Sequence, residues 1–555
     1  AEKMLLKAVD YVNRTNTDNM LGAAVIYSAL GDLYSKMGQT SVAAEYRKKC
    51  RQMQAEQCGD NKLMLFLNLV ADIWPKYHSG DKGGCLSDID AIESVVESMK
   101  GMYNIDNSMP SRLRTQYYLY EGDLEMARIY AGLLNLWVNN YDDRLMRAKV
   151  YSACGEYDKA LEDAEAAIGI GKDLYGKSSV SLVEPVVYAA EAKMMLGDKQ
   201  GAIENFRRAY NIGCDYISNN ILTLTAAQRA DFWNSNFGFY RATLPHVTAT
   251  RLRDTEMNGL LYDAMLFSNG LLFTADKSIT DIVQKSPEDV RLTYGDWMFK
   301  KDLLKRLVAQ SETTADESQT EDFKRNIAEV TGEVSTLERQ LLDRIGETTG
   351  NDWRLPKTTW QQVRKALPRR AAAIEFVDYE MGDSISALIA LILTKDSKLP
   401  VLREVCKGDH DFITNDLMFA DREFTDKFFK TFADDIAGCT EVYFVPQGAL
   451  CSVALESLPV SDGILPSKPE FYRLSSTREL VRARRGKGKD RAATIYGGLK
   501  YDMDVDSMVA DAGRYPELRE RGFNADNLLS ARVSRKGDVV IPELKGALVE
   551  VEAVS

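Results

Sequence analysis

The sequence predicts an α-helical repeat array followed by an α/β domain with a parallel-rich sheet. Within residues 1–218 a glycine recurs with small residues at fixed offsets after it. Helical spacing of apolar residues continues without that repeat through residues 219–350. Through residues 351–555 short apolar runs alternate with polar or helical stretches, which is typical of alternating strands and helices. Because 555 residues are too many for one hydrophobic core, we expect these three parts to be separate domains.

The repeat covers roughly residues 20 to 215. In each copy a glycine is followed five residues later by alanine and, in the complete copies, nine residues later by another apolar residue. The sets are Gly122 with Ala127 and Ala131, Gly155 with Ala160 and Ala164, Gly197 with Ala202 and Phe206, and partially Gly38 with Ala43. Glycine suits a turn because it tolerates positive φ, and alanine lets two helices pack closely. We therefore predict that Gly122, Gly155 and Gly197 lie at turns between helices.

This spacing resembles the tetratricopeptide repeat (TPR), whose period is about 34 residues. The resemblance implies stacked helical hairpins with a concave groove, and such a groove binds a protein or peptide partner. An unrelated bundle of helices is the alternative for these residues.

The connector, residues 219–350, is predicted to be helical throughout. In the run 253–272 apolar residues return every three or four positions, which places them on one buried helix face. Two further helical runs, 287–308 and 323–342, are separated by the polar segment 311–320. We predict a helical hairpin with charged faces, in which 311–320 is a solvated linker.

Strands of the α/β domain are predicted at short apolar runs. These runs are residues 371–379, 384–394, 400–405, 442–446 and 494–498. Since helical or polar stretches stand between them, we expect a largely parallel sheet.

Several motifs of this domain occur in a characteristic order. They are Thr359-Trp360 with Val363, AIEFV at 373–377, VYFVPQGAL at 442–450, ALESL at 454–458, YRLSST at 472–477, GGLKYD at 497–502 and LKGALVEVE at 544–552. Together with the upstream repeats, this order resembles the CHAT family, caspase-like peptidases associated with TPRs. The resemblance implies a caspase-like fold and a cysteine endopeptidase activity.

In that family the nucleophile is a cysteine at the end of one strand. Its base is a histidine followed by glycine, at the end of a preceding strand. The resemblance places both beyond residue 555, so residues 351–555 correspond to the N-terminal part of the CHAT domain. No catalytic residue is assigned within this chain, and the chain alone is expected to have no peptidase activity.

Two residues of the α/β domain were weighed as a substitute catalytic pair. Cys451 follows a Pro-Gln-Gly turn in an apolar run and is predicted to be a small core residue. His410 lies in the polar segment KGDHDF, and neither cysteine nor histidine follows Cys451 in the sequence. Because a cysteine nucleophile needs a neighbouring base, we assign neither residue a catalytic role.

No metal or cofactor site is predicted. The eight cysteines include no CxxC pair, and His78, His246 and His410 stand far apart in the sequence. No phosphate-binding GxxxxGK[ST] motif occurs. The basic segment 482–491 is interpreted as an exposed loop open to trypsin, with phosphate contact as the alternative. The acidic segment 501–506 lacks the glycine and final glutamate of a calcium loop and is interpreted as a polar loop.

The net charge and the hydropathy of the chain limit the classes of partner that it can bind. Asp and Glu (82) outnumber Lys and Arg (70), so the protein as a whole repels nucleic acid and anionic lipid. The longest apolar stretches, such as 386–393, are far shorter than the ~20 residues of a membrane-spanning helix. We expect no nucleic-acid or membrane partner and a cytoplasmic location, or a periplasmic or secreted one if a leader has been removed.

Two functions are therefore compared. The first is a regulated caspase-like cysteine endopeptidase whose repeat array holds a protein partner. The second is a non-catalytic TPR scaffold with a degenerate peptidase fold. The gene sequence after Ser555 discriminates between them, since a strand ending in His-Gly and a later one ending in Cys would support the peptidase. Nucleic-acid binding is a distant third.

Overall fold

The computed structural model describes most of the chain as far as residue 482. The described residues are 2–15, 20–36, 40–57, 62–99, 108–134, 140–313, 317–349, 355, 357–380, 385–409, 422–465 and 469–482. They form two compact units, one made of residues 2–287 and 342–482 and the other of residues 288–341.

The first unit begins with helices that pack against each other in consecutive pairs. These helices are α1 (Glu2–Thr15), α2 (Met20–Lys36), α3 (Thr40–Gln57), α4 (Lys62–His78), α5 (Lys82–Ser98), α6 (Met109–Tyr120), α7 (Leu124–Gly132), α8 (Tyr141–Ala153), α9 (Tyr157–Tyr175), α10 (Val183–Met195) and α11 (Lys199–Asn220). The pairs from α4 to α11 are each joined by a tight turn. This part of the chain is therefore a stack of helical hairpins.

The three glycines predicted to lie at turns all do so. Gly122, Gly155 and Gly197 stand between α6 and α7, α8 and α9, and α10 and α11, with φ of 75°, 76° and 92°. Their positive φ ends one helix so that the next can fold back. The alanines five residues later, Ala127, Ala160 and Ala202, are completely buried, as close helix packing requires. The prediction from the glycine spacing is confirmed.

A further copy of the same turn was missed in the sequence. Gly80, with φ of 91°, joins α4 to α5 and lies 42 residues before Gly122. Cys85 and Ile89 occupy the offsets of five and nine residues, and both are completely buried. Because these residues are not alanines, the pattern of small residues did not reveal this copy.

An aspartate directly after the turn glycine begins the second helix of three hairpins. The side chains of Asp81, Asp123 and Asp198 accept hydrogen bonds from Gly84 N, Met126 N and Gly201 N at 2.9, 3.0 and 2.9 Å. Each bond satisfies a backbone donor that the helix itself leaves unpaired. The Gly-Asp pair thus ends one helix and begins the next.

Removing one of these caps should weaken one hairpin by a modest amount. We expect Asp123→Ala to destabilise it by about 1 kcal/mol, because Met126 N loses its acceptor. Amide hydrogen exchange should then be faster in α7. Asp123→Asn keeps a side-chain oxygen at this position, so amide exchange in α7 should be as slow as in the wild type. Equal exchange in the alanine variant would contradict a capping role.

The connector helices follow α11 in the same unit. They are α12 (Ala226–Asn236), α13 (Leu244–His246) between the π-helical turns Phe239–Thr243 and Val247–Leu252, α14 (Thr255–Ser268) and α15 (Leu271–Lys285). Ten of the 14 residues of α14 are buried, so most of this helix lies in the interior rather than at the surface. The buried surface of this helix is therefore wider than the single face that the pattern in 253–272 predicts.

The α/β part contains a five-stranded sheet with the order β3-β2-β1-β4-β5. Its elements are α18 (Trp360–Ala366), β1 (Ala371–Glu380), β2 (Ile385–Thr394), β3 (Val401–Asp409), α19 (Arg422–Lys430), β4 (Glu441–Val445), β5 (Glu470–Arg473) and α20 (Glu479–Arg482). Strands β1, β4 and β5 are parallel, whereas β1, β2 and β3 are antiparallel.

The prediction of a parallel-rich sheet therefore holds for only half of the sheet, which is mixed. Only residues 381–384 connect β1 to β2, and a parallel crossover needs a dozen residues or more. That short connection forces an antiparallel hairpin. Four of the predicted strands are found, the short strand β5 was not predicted, and the predicted run 494–498 lies outside the described residues.

Strand β1 lies at the centre of the sheet and is buried on both faces. On one face Phe376 packs against Phe428 and Phe432, with ring centroids 5.9 and 6.0 Å apart. The opposite face, which includes Glu375 and Tyr379, contacts the connector helices. The connector helices of this unit therefore pack against one face of the sheet.

The second unit consists of the helix α16 (Glu288–Thr313) and of α17 (Glu317–Thr349) as far as residue 341. Lys300 Nζ on α16 lies 2.6 Å from Glu333 Oε2 on α17, which joins the two helices. The predicted linker 311–320 is largely helical, because helices cover residues 311–313 and 317–320. Its polar composition was misleading, since Glu and Gln are good helix formers.

Among the described residues, no helix combines the length and the apolar character needed to cross a lipid bilayer.

Candidate functional site

The carboxyl ends of the parallel strands β1 and β4 form the candidate site. In open α/β sheets, ligands and reacting groups commonly lie at this edge. Strand β4 ends at Val445, which pairs with Glu375, so β1 extends beyond it toward Glu380. Residues after β4 and β5 meet the ends of the connector helices at this edge.

Glu375 is the centre of the site and its side chain is completely buried. Its carboxylate accepts hydrogen bonds from Asn269 Nδ2 at 2.7 Å, from Thr477 N at 2.8 Å and from Thr477 Oγ1 at 2.6 Å. Burial raises the pKa of Glu375, and these hydrogen bonds act in the opposite direction. The carboxylate thereby joins β1 to the turn after α14 and to the chain after β5.

Gln447, just after β4, extends this network. Its Nε2 donates to Asn269 Oδ1 at 2.6 Å, and its Oε1 accepts from an Arg241 guanidinium nitrogen at 3.0 Å. The side chain is 5% exposed, so these partners replace water. A continuous chain of hydrogen bonds therefore runs from Arg241 in the π-helical turn through Gln447 and Asn269 to Glu375.

Arg478 fixes the segment after β5 to the end of α14. Its guanidinium donates to Leu266 O at 2.7 Å and to Asn269 O at 2.6 Å, and it also bonds Thr274 Oγ1. A cation is favourable at the C-terminus of a helix, where carbonyl groups lack helical partners. We call Arg241, Asn269, Glu375, Gln447, Thr477 and Arg478 the junction network.

Two glycines of this site have a positive φ that disfavours a side chain. Gly270, with φ of 60°, begins α15, and a Cβ there would lie 3.4 Å from the Arg478 guanidinium. Gly448, with φ of 55°, follows Gln447, and a Cβ there would lie 1.8 Å from a carboxylate oxygen of Asp378. A side chain at Gly448 would displace Asp378, so the VYFVPQGAL motif requires glycine at this position.

Cys451 is exposed, and the prediction that it is a core residue is wrong. It lies in the short 3-10 turn Gly448–Ser452, and its Sγ lies 3.6 Å from Pro446 O. Leu450, its neighbour, is completely buried instead. In such a tight turn adjacent residues point in different directions, which the apolar composition did not reveal.

Neither His78 nor His246, the two histidines within the described residues, pairs with this thiol. The ring of His246 lies against that of Tyr379, with centroids 6.5 Å apart, and burial lowers its pKa. His78 is exposed at the end of α4, and His410 lies outside the described residues. No hydrogen bond in the described part of the chain joins Cys451 to His246 or His78.

Two other cysteines of this unit, Cys214 and Cys406, are poor nucleophile candidates. Burial raises the pKa of Cys214 to about 12 and that of Cys406 to about 11, so both thiols stay protonated near neutral pH. Within the described ranges no group of three or more metal-ligating side chains occurs. The basic segment 482–491, apart from Arg482, and the acidic segment 501–506 lie outside those ranges.

A comparison of the sequence with protein-family models and with curated proteins finds no match to this chain.

The residues of the junction network were not predicted as a site. One signal was present in the sequence, since Glu375 is a charged residue inside the apolar run AIEFV. Lone charges in a buried strand are rare unless they are paired. That rule would have indicated partners for Glu375, although it would not have named Asn269 or Thr477.

Proposed function

We propose that this chain is a TPR-CHAT protein in which a repeat array holds a protein or peptide partner and thereby controls a caspase-like cysteine endopeptidase domain. The catalytic His and Cys of that domain are proposed to lie beyond residue 555. The observation that carries the proposal is the junction network, which ties the connector helices to both central parallel strands.

Contacts between the repeats and the connector support such control. Tyr210 on α11, the last helix of the stack, donates from its hydroxyl to Asp263 O on α14 at 3.2 Å. Arg207 on α11 pairs with Glu256 on α14 at 3.3 Å. Since α14 ends at the junction network, a displacement of α11 would shift α14 and, with it, the residues of the network at the sheet edge.

The network is suited to an all-or-none response. Its hydrogen bonds are short, buried and supplied by different segments, so a shift of α14 leaves Glu375 without Asn269. Glu375 keeps its two hydrogen bonds from Thr477, but loss of one hydrogen bond to a buried charged group costs about 1.5–3 kcal/mol, which disfavours intermediate positions. A partner bound to the repeats would therefore favour one of two positions of the strand ends.

Activity assays on two chains test this proposal. Residues 1–555 and a chain extended to the natural C-terminus are treated with a thiol-directed active-site probe and a peptide library. We expect labelling and cleavage only by the extended chain. Asn269→Ala in that chain should lower cleavage at least about tenfold, since it removes the amide that links Gln447 to Glu375.

The other outcomes are also informative. Cleavage by residues 1–555 alone, abolished by Cys451→Ala, would show that Cys451 is the nucleophile and that the proposed catalytic residues are wrong. Absence of cleavage by both chains, with the partner bound, would support the non-catalytic scaffold.

A further inference from the structure

A cleft lies where α11, α14 and α18 meet, away from the junction network. Its volume is about 440 Å³, which is within the range of small-molecule sites. Its lining combines aromatic, charged and amide side chains. The residues used below are Arg207, Tyr210, Glu256, Gly259, Asp263 and Trp360.

Asp263 is the chemically distinctive group of this cleft. Its Oδ1 accepts a hydrogen bond from Trp360 N at 2.7 Å, and in the described part of the chain its carboxyl accepts no other. Burial raises its pKa to about 7. A carboxylate in these surroundings is under-solvated, and a cation in the cleft would stabilise its charged form.

The other charged residues of the lining do not neutralise Asp263. Arg207 lies 3.3 Å from Glu256, so these two side chains compensate each other at the mouth of the cleft. Arg207 lowers the pKa of Asp263, but the effect of burial is larger. The lining therefore carries one net negative charge when Asp263 is ionised.

An aromatic wall stands beside this carboxyl group. A Cβ at Gly259 would lie 2.9 Å from Trp360 Nε1, so the glycine makes room for the indole against α14. Arg364 already lies over the Trp360 ring, 5.3 Å from its centroid. Tyr210 adds a second ring to the lining. An ammonium group is attracted to an aromatic face, and a carboxylate beside that face adds the attraction of an opposite charge.

We propose that this cleft binds an alkylammonium group, with the ammonium on the Asp263 carboxylate and its carbon chain along Trp360. The group comes either from a free amine or from a lysine side chain of a protein. Because the cleft is built from the last repeat helix, a connector helix and the first helix of the α/β part, the bound amine would hold all three together.

Calorimetric titration of residues 1–555 tests the site. The probes are 1,4-diaminobutane, the lysine peptide acetyl-Ala-Lys-Ala-amide, and 1-butanol as a neutral chain of similar length. We expect at least one amine to bind and the alcohol not to bind. Asp263→Asn should weaken amine binding at least about tenfold, because it removes the opposite charge.

Two controls separate binding from folding. Asn retains an oxygen for Trp360 N, so Asp263→Asn should keep the thermal midpoint near that of the wild type or above it. Asp173→Asn makes the same charge change at an exposed position outside the cleft and should leave binding unchanged. At pH 7, amine binding to the wild type should release protons, seen as a dependence of the heat on the buffer.

Binding of the diamine alone would assign the site to free amines, and binding of the lysine peptide would assign it to a partner's lysine. The proposal is overturned if neither amine binds the folded wild type, or if Asp263→Asn binds as tightly. Its failure would not affect the proposed peptidase function, which uses the contacts between α11 and α14 but needs no ligand in the cleft.

Discussion

Replacing Glu375 with alanine should destabilise the α/β part by about 3 kcal/mol or more. The substitution leaves the side-chain amide of Asn269 and the backbone N–H of Thr477 buried without the Glu375 acceptor, while the Thr477 hydroxyl keeps its hydrogen bond with Tyr262. Each unsatisfied group costs about 1–3 kcal/mol. It also leaves a small cavity next to the centre of the sheet. Thermal unfolding should begin earlier, and amide exchange should accelerate first in β1 and β4.

The matched control is Glu380→Ala at the end of the same strand. Glu380 is exposed, so its removal should change stability by no more than about 0.5 kcal/mol. If amide exchange in β1 and β4 were as slow in Glu375→Ala as in Glu380→Ala, the junction network would not be what holds the connector helices to the sheet.

Within the repeats, Asp163→Ala should have the second large effect. Asp163 on α9 is 2% exposed and accepts from Arg144 at 2.6 Å and from Arg147 at 2.9 Å, both on α8. Without it, two mostly buried guanidinium groups lose a shared carboxylate. Breaking a buried ion pair on one side costs about 3–5 kcal/mol, and we expect a value near the lower end because the arginines retain some solvent.

Glu162→Ala serves as the control, since Glu162 is the exposed neighbour of Asp163 on the same helix. Hydrogen exchange in α8 and α9 measures both variants. Similar exchange rates in the two variants would show that the ion pairs of Asp163 add no stability beyond that of the packed alanines.

An aspartate also forms an ion pair at the corresponding position of an earlier hairpin, there with one lysine instead of two arginines. Asp163 and Asp88 each lie eight residues after a turn glycine, Gly155 or Gly80. Asp88 is paired with Lys76 on α4 at 2.5 Å. In these two hairpins an aspartate at this offset thus adds an ion pair to the apolar packing of the helices.

Local features of the chain could be predicted from sequence because neighbouring residues determine them. Gly122, Gly155 and Gly197 indicate turns by their own conformational freedom. Strands β1 and β2 are visible as apolar runs, and the short connection between them would also have predicted their antiparallel pairing.

The candidate site could not be predicted in the same way. Asn269 bonds Glu375, which is 106 residues away, and Gln447, which is 178 residues away. No period or motif links such positions. Only the packing of α14 on the sheet brings them together, and that packing depends on the whole α/β part.

The turn between α14 and α15 has a chemical consequence for the lifetime of the protein. Asn followed by Gly, as at Asn269-Gly270, is the pair in which the following backbone nitrogen most readily attacks the side-chain amide and releases ammonia. In the folded chain, Glu375 and Gln447 hold that amide from both sides. Each excursion to the unfolded state exposes it to this reaction, which leaves an aspartate or isoaspartate. A carboxylate at position 269 would then face buried Glu375, and two such groups cannot both stay charged in one site. Deamidation of Asn269 in the unfolded chain would therefore oppose its return to the folded state.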